Sequence, residues 1–106
     1  MTFEVVIHEA AHEDIRQVLA YFHQVDAVTM MDWFVRLHER IQTLDEFPRR
    51  FPLIEEGEDL GLALRVCPFG SGRGAWKILY EVRDTEVHVV RIRRANRDRL
   101  KPGDLA

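Results

Sequence analysis

The sequence predicts an α+β fold of order βααβββ, a helical hairpin packed on one face of a mainly antiparallel four-stranded sheet. Three observations predict it: a short β-branched opening run, two consecutive stretches with apolar residues at three- and four-residue spacing, and a second half in which the period drops to two. The opening run, TFEVVI (2–7), reads as a buried strand too short to stand alone. Over residues 9–24, Ala11, Ile15, Val18, Leu19 and Phe22 recur at helical spacing. Asp26 then caps a second helix, whose stripe is Met30, Phe34, Leu37, Ile41 and Leu44, with Arg36, Glu39 and Arg40 turned outward. FPRRFP (47–52) ends that helix, because each proline excludes continued helix and extends the residue before it. A connection this short between two helices predicts an antiparallel hairpin. After the acidic loop EEGED, LALRVCPF, AWKILYEV and EVHVVRIRR are strand-length and rich in β-branched or aromatic residues. GSGRG and RDTE are the turns of a three-stranded meander, to which the first strand adds a fourth.

With 106 residues, 46% of them hydrophobic and 31% charged, the chain has room for one core, and we expect a single domain over 1–100 with a frayed tail over 101–106. MTFEVVIHEA carries neither a basic leader nor an apolar segment of signal length, and no run approaches the roughly 20 residues of a membrane helix. A cytoplasmic protein without membrane association is expected. The lone Cys67 reads as a small buried strand residue.

Charge is sorted along the chain. Residues 1–60 hold 13 acids against 5 arginines, whereas residues 61–106 hold 10 Lys and Arg against 5 acids, within a net charge of -3. Such sorting concerns partners rather than fold, since a one-signed face concentrates molecules of opposite charge. Strand alternation puts Arg65 with Cys67, Lys77 with Leu79, and Arg91 with Arg93. If the face away from the helices collects Arg65, Lys77, Arg91 and Arg93, it forms a cationic platform; the simpler reading is ordinary solvated charge.

His8 to His12 reads HEAAH, a literal match to the HExxH of zinc hydrolases, in which histidines four apart share a helix face and the intervening Glu serves as base. Here His8 directly follows a strand and belongs at the helix cap. The longer zincin pattern also wants Gly where Ile15 stands and His where Val18 stands. We therefore expect no metal site and no cofactor.

Three stretches, taken with the element order, resemble the RelE/ParE superfamily, toxins of bacterial type II toxin-antitoxin systems that include plasmid stabilisation proteins. Helix 1 of that family has an Ala and later an Asp followed by an aliphatic residue, which Ala11, Asp14 and Ile15 match, with His8-Glu9 in its opening Ser-Pro slots. LDEFPRRFPLIEE is similar to the family's helix-ending segment. The most specific stretch runs from Leu64-Arg65 through Gly70 to Gly74, Trp76, Ile78 and Tyr80 into Arg93-Arg94-Ala95-Asn96-Arg97-Asp98, where Arg94 replaces the usual histidine.

The resemblance implies growth inhibition by one of two mechanisms, and neutralisation by a cognate antitoxin. RelE-like members cut ribosome-bound mRNA and need an acid, a base and cations for the phosphorane. Arg65 matches their second-strand arginine, but no His or Tyr follows His88. ParE-like members bind DNA gyrase without an acid or base, and the departure tilts the expectation toward them, leaving enzyme activity undecided. If the chain is a nuclease, its candidates are Arg65, Lys77, Arg91 and Arg93. Expected target-binding residues are Arg65, Arg73, Lys77, Arg93, Arg94 and Arg97; Arg94, Arg97 and Arg99 read equally well as ion-pair partners of Glu55, Glu56 and Asp59. For Trp33 and Trp76 core packing is the default reading; the resemblance makes them the candidate antitoxin contacts, Trp33 the better one because it lies off the helix 2 stripe. Outside the toxin reading stand an interaction domain that kept the fold and lost the activity, and the zinc hydrolase.

Overall fold

The period-two segments form one sheet, and the two amphipathic stretches form a hairpin across it. The computed structural model describes residues 2–96. Its elements are β1 (Glu4–Ile7), α1 (Glu9–Val25), α2 (Ala27–Gln42), α3 (Glu55–Asp59), β2 (Leu64–Phe69), β3 (Trp76–Arg83) and β4 (Glu86–Arg94), with a 3-10 turn at Pro48–Arg50. The strand order is β1-β4-β3-β2, so the first strand joins the meander at its β4 edge. β1 runs parallel to β4, and the other pairs are antiparallel.

Between the helices, Asp26 accepts hydrogen bonds from Val28 N at 3.0 Å and Thr29 Oγ1 at 2.6 Å. Both bonds favour the ionised carboxyl, the hydroxyl first, and hold it below its ordinary value. One departure concerns helix 2, where Trp33, Leu37 and Ile41 are buried while Phe34 is only half-buried. Trp33 packs edge-on against Trp76 and Phe69, with ring centroids 5.4 and 6.2 Å apart. A bulky indole set one residue over rotates the buried stripe toward itself, because it fills space between the hairpin and the end of the sheet that Phe34 does not reach. Both Trp33 and Trp76 are buried, in keeping with the core-packing reading of these residues.

EEGED, expected to be a loop, is the single-turn helix α3. Gly57 is what lets it sit down: a Cβ there would meet Leu62 O at 2.6 Å and Leu64 Cβ at 2.9 Å. Ile54, Leu60 and Leu62, flanking α3, pack on Leu64, Val66, Leu79 and Val90 in a small core separate from the one under the hairpin. The sheet thus has a hairpin face and a second face crossed by residues 54–62. No helix among the described residues is long and apolar enough to cross a membrane.

Candidate functional site

The second face is divided by that crossing segment. At one end Lys77 and Arg93 are direct cross-strand partners, in register with the face that carries Leu79; Lys77 is half-buried and Arg93 is buried, 7% exposed. Arg94, the next residue, is exposed, with its guanidinium carbon 5.0 Å from the Trp76 ring centre. Stacking on an indole costs an arginine none of its charge and holds it in place. A cavity of about 200 Å³ opens beside them, lined by Asp14, Tyr21, Trp76, Arg93 and Arg94 among others. The side chain of Arg73, all of Arg97 and Arg99, and the expected tail lie outside the described residues.

The other two members of the expected platform are elsewhere. Arg65 pairs with Tyr80 and shares its strand side with buried Cys67, so it belongs to the hairpin side. There its guanidinium donates to Phe51 O at 2.6 Å and Arg49 O at 3.2 Å, tying the 49–51 segment to β2. Arg91 forms a two-pronged pair with Asp14 of α1, Nε to Oδ2 at 2.7 Å and NH2 to Oδ1 at 2.8 Å. A bulge is the cause. Register slips between Leu79 and Tyr80, leaving Val90 as the extra residue. Val90 joins Leu64 and Leu79 beneath the crossing segment, and Arg91 turns over the strand edge. That edge is open because β1 stops at Ile7, opposite Val89, and Asp14 fills the vacated ladder position by also accepting from Ile92 N at 2.9 Å. Of the four cations expected on one platform, register therefore keeps Lys77 and Arg93 together, while exposed Arg94, cross-strand from Trp76, lies on the hairpin side at the same strand ends.

At the opposite end the second face carries carboxylates and histidines. Register places Glu4, Val6, Glu86, His88, Glu81 and Arg83 on it. His8 Nε2 lies 2.7 Å from His88 Nδ1, and His88 Nε2 lies 3.1 Å from Glu86 Oε1, so a carboxylate and two imidazoles form one chain of hydrogen bonds. Burial first, then the neighbouring His88 ring and Arg83, lower the pKa of His8. HEAAH is thereby accounted for: His8 is the extended N-cap of α1 (φ -71°, ψ 157°), its ring committed to His88 rather than aligned with exposed His12. Among the described residues no three His, Cys, Asp or Glu side chains are grouped to hold a metal ion. The strand partner His88 is what sequence reading missed, since only the parallel β1–β4 register brings it beside His8.

Burial disfavours the charged forms of Tyr80 and Cys67. Burial first, then the adjacent Cys67, push the Tyr80 hydroxyl up to about 12, and it donates to Pro48 O at 2.5 Å. Burial also raises the Cys67 thiol.

A sequence model described as "ParE toxin of type II toxin-antitoxin system, parDE" matches residues 5–99. The chain belongs to this family. It is a type II toxin, and such toxins bind a cognate antitoxin. Among solved structures it is similar to the free state of an Escherichia coli toxin RelE mutant with two arginines changed to alanine, at 17% identity and a TM-score of 0.54, covering 91% of this chain and 86% of that one. That likeness is one of fold. No curated protein matches significantly.

Proposed function

We propose that this toxin inhibits growth by binding DNA gyrase, using the cations gathered where β3 begins and β4 ends, Lys77, Arg93 and Arg94, with Arg73 and Arg97 as further contacts. The observation that carries this reading is what Arg65 and Arg91, two of the nuclease candidates, are bonded to. Arg65, the match to the nuclease arginine, is bonded to two backbone carbonyls, and Arg91 to Asp14. A phosphorane needs cations aimed at it and an acid and base within reach. Tyr80 is buried on the opposite side of the sheet, and His8 and His88 occupy the far end of the face. What exposed Arg94 and half-buried Lys77 offer, with buried Arg93 adding its charge from below, is positive potential for an acidic partner, the chemistry of binding rather than of strand cleavage.

The antitoxin reading moves with the tryptophans. Because Trp33 and Trp76 are core residues, the apolar contact surface we assign to the antitoxin is the outer side of the hairpin. There Val28, Met31 and Val35 recur at three and four along α2, with Tyr21 and Val25 four apart on α1, all exposed.

Induced expression in a bacterial host tests both parts. Gyrase binding predicts growth arrest with a DNA-damage response, relieved by the antitoxin. Arrest accompanied by messages cut within ribosomes would replace it with the RelE-like reading, and normal growth with abundant protein would mark an interaction domain that has lost the activity.

A further inference from the structure

The cavity of about 200 Å³ between α1 and the end of β4 has a lining of unbalanced charge. Asp14, Gln17 and Tyr21 border it from α1, and Trp76, Arg93 and Arg94 from the strands. Asp14 is already committed. Its Oδ2 accepts from Arg91 Nε at 2.7 Å and from Ile92 N at 2.9 Å, and its Oδ1 accepts from Arg91 NH2 at 2.8 Å, so its charge is cancelled by an arginine that is not part of the lining. Two guanidiniums remain. Arg93 is 7% exposed, and the cavity opens onto it. Exposed Arg94 is held in place by the Trp76 ring, 5.0 Å from its guanidinium carbon, and a cation restrained in this way gives up little side-chain freedom on binding. On the α1 wall the Gln17 amide and the Tyr21 hydroxyl are hydrogen-bond donors.

This lining defines its occupant in three respects. A volume of about 200 Å³ is below the roughly 300–1,000 Å³ of ordinary ligand pockets, so it suits one small group rather than a whole ligand. Donors on two walls suit a tetrahedral oxyanion, whose oxygens point in several directions, better than a planar carboxylate. Two positive charges call for two negative ones; a phosphate monoester carries about -1.5 to -2 at neutral pH, whereas a carboxylate or a phosphodiester carries a single charge.

We propose that the cavity binds a phosphate monoester group, held between Arg93 and Arg94 on the strand side and Gln17 and Tyr21 on the helix side. The proposal goes beyond the gyrase reading and does not rest on it. Once occupied, the cavity withholds charge that Arg93 and Arg94 otherwise offer to an acidic partner.

Inorganic phosphate and adenosine monophosphate, titrated separately into the purified full chain and followed by backbone amide shifts, test it. Wild type is expected to bind phosphate with a Kd of about 1 mM or tighter, as a few charge-assisted hydrogen bonds give, with the largest shifts around Gln17, Tyr21 and Arg94. Tighter binding of the nucleotide makes the phosphate the head of a larger ligand, and equal binding makes free phosphate the ligand. Gln17→Glu, which sets a carboxylate in the lining, and Arg94→Gln are both changes at exposed positions and should each weaken binding about tenfold with the melting temperature unchanged. Arg36→Gln removes an exposed cation of α2 outside the lining and should leave the affinity within about twofold. No binding below about 10 mM, acetate bound as tightly as phosphate, an affinity indifferent to Gln17→Glu and Arg94→Gln, or a loss with Arg36→Gln equal to theirs would each overturn the proposal.

Discussion

Two regions of this small domain are rich in arginine, and they use it differently. Along the β2 edge, Arg40 donates to Pro68 O, Arg50 to the Thr43, Glu46 and Phe47 carbonyls, and Arg65 to the Arg49 and Phe51 carbonyls. Arg40 and Arg50 also stand over the Phe51 ring. Arg65 ties the irregular 43–53 segment to the sheet, Arg50 closes that segment on itself and Arg40 ties α2 to β2, each supplying donors for backbone oxygens. At the far end of β3 and β4, Lys77, Arg93 and Arg94 are gathered by strand register and an indole face. Positive charge density does not by itself mark a recognition surface; what each guanidinium touches inside its own chain decides.

The comparison can be broken where a cation serves the fold. Asp14→Ala should have the largest effect, about 3–5 kcal/mol lost in denaturant unfolding, because it strands Arg91 and the Ile92 N–H together. Arg65→Ala should cost about 1.5–3 kcal/mol by the same measurement, since it leaves the Phe51 carbonyl without its charged donor. In activity assays on the folded fraction Arg65→Ala should resemble wild type, the reverse of what a nuclease arginine would do. Gly57→Ala should cost about 1–3 kcal/mol, since the added methyl has to push α3 off Leu62 and Leu64.

Acidification sharpens the contrast from the opposite end of the face. His8 has a folded pKa below its unfolded value of 6.5, so as pH falls below 6.5 the unfolded chain takes the proton first. Stability is therefore full above that value and declines as pH drops toward the folded pKa. Denaturant midpoints at pH 7.5 and 5.5 should separate more for wild type than for His8→Gln, with Glu4, Glu81, Glu86, Arg83 and His88 on the same face left unchanged.

Much of the fold was legible because its periods are clean: two amphipathic stretches broken at Asp26, then three runs of period two. The strand alternation was legible as well, down to Arg65 sharing a side with Cys67. Which face that side belonged to was not, since both faces of the sheet bury residues. The bulge at Val90 and the Asp14–Arg91 pair, 77 residues apart, arise from where β1 stops relative to β4. Nothing local in VHVVRIRR encodes it. Helix α3 escaped notice because five residues carry no helical period, and its seat depends on the missing side chain of Gly57.

The cationic end is where the account is most exposed. Lys77→Glu should shift stability by no more than about 0.5 kcal/mol, as surface changes do. Titrating purified protein into a DNA gyrase supercoiling reaction, wild type beside Lys77→Glu, is the most direct test. The account predicts that wild type blocks supercoiling and that Lys77→Glu, equally well folded, fails to. Supercoiling that proceeds undisturbed in the presence of wild-type protein would contradict it.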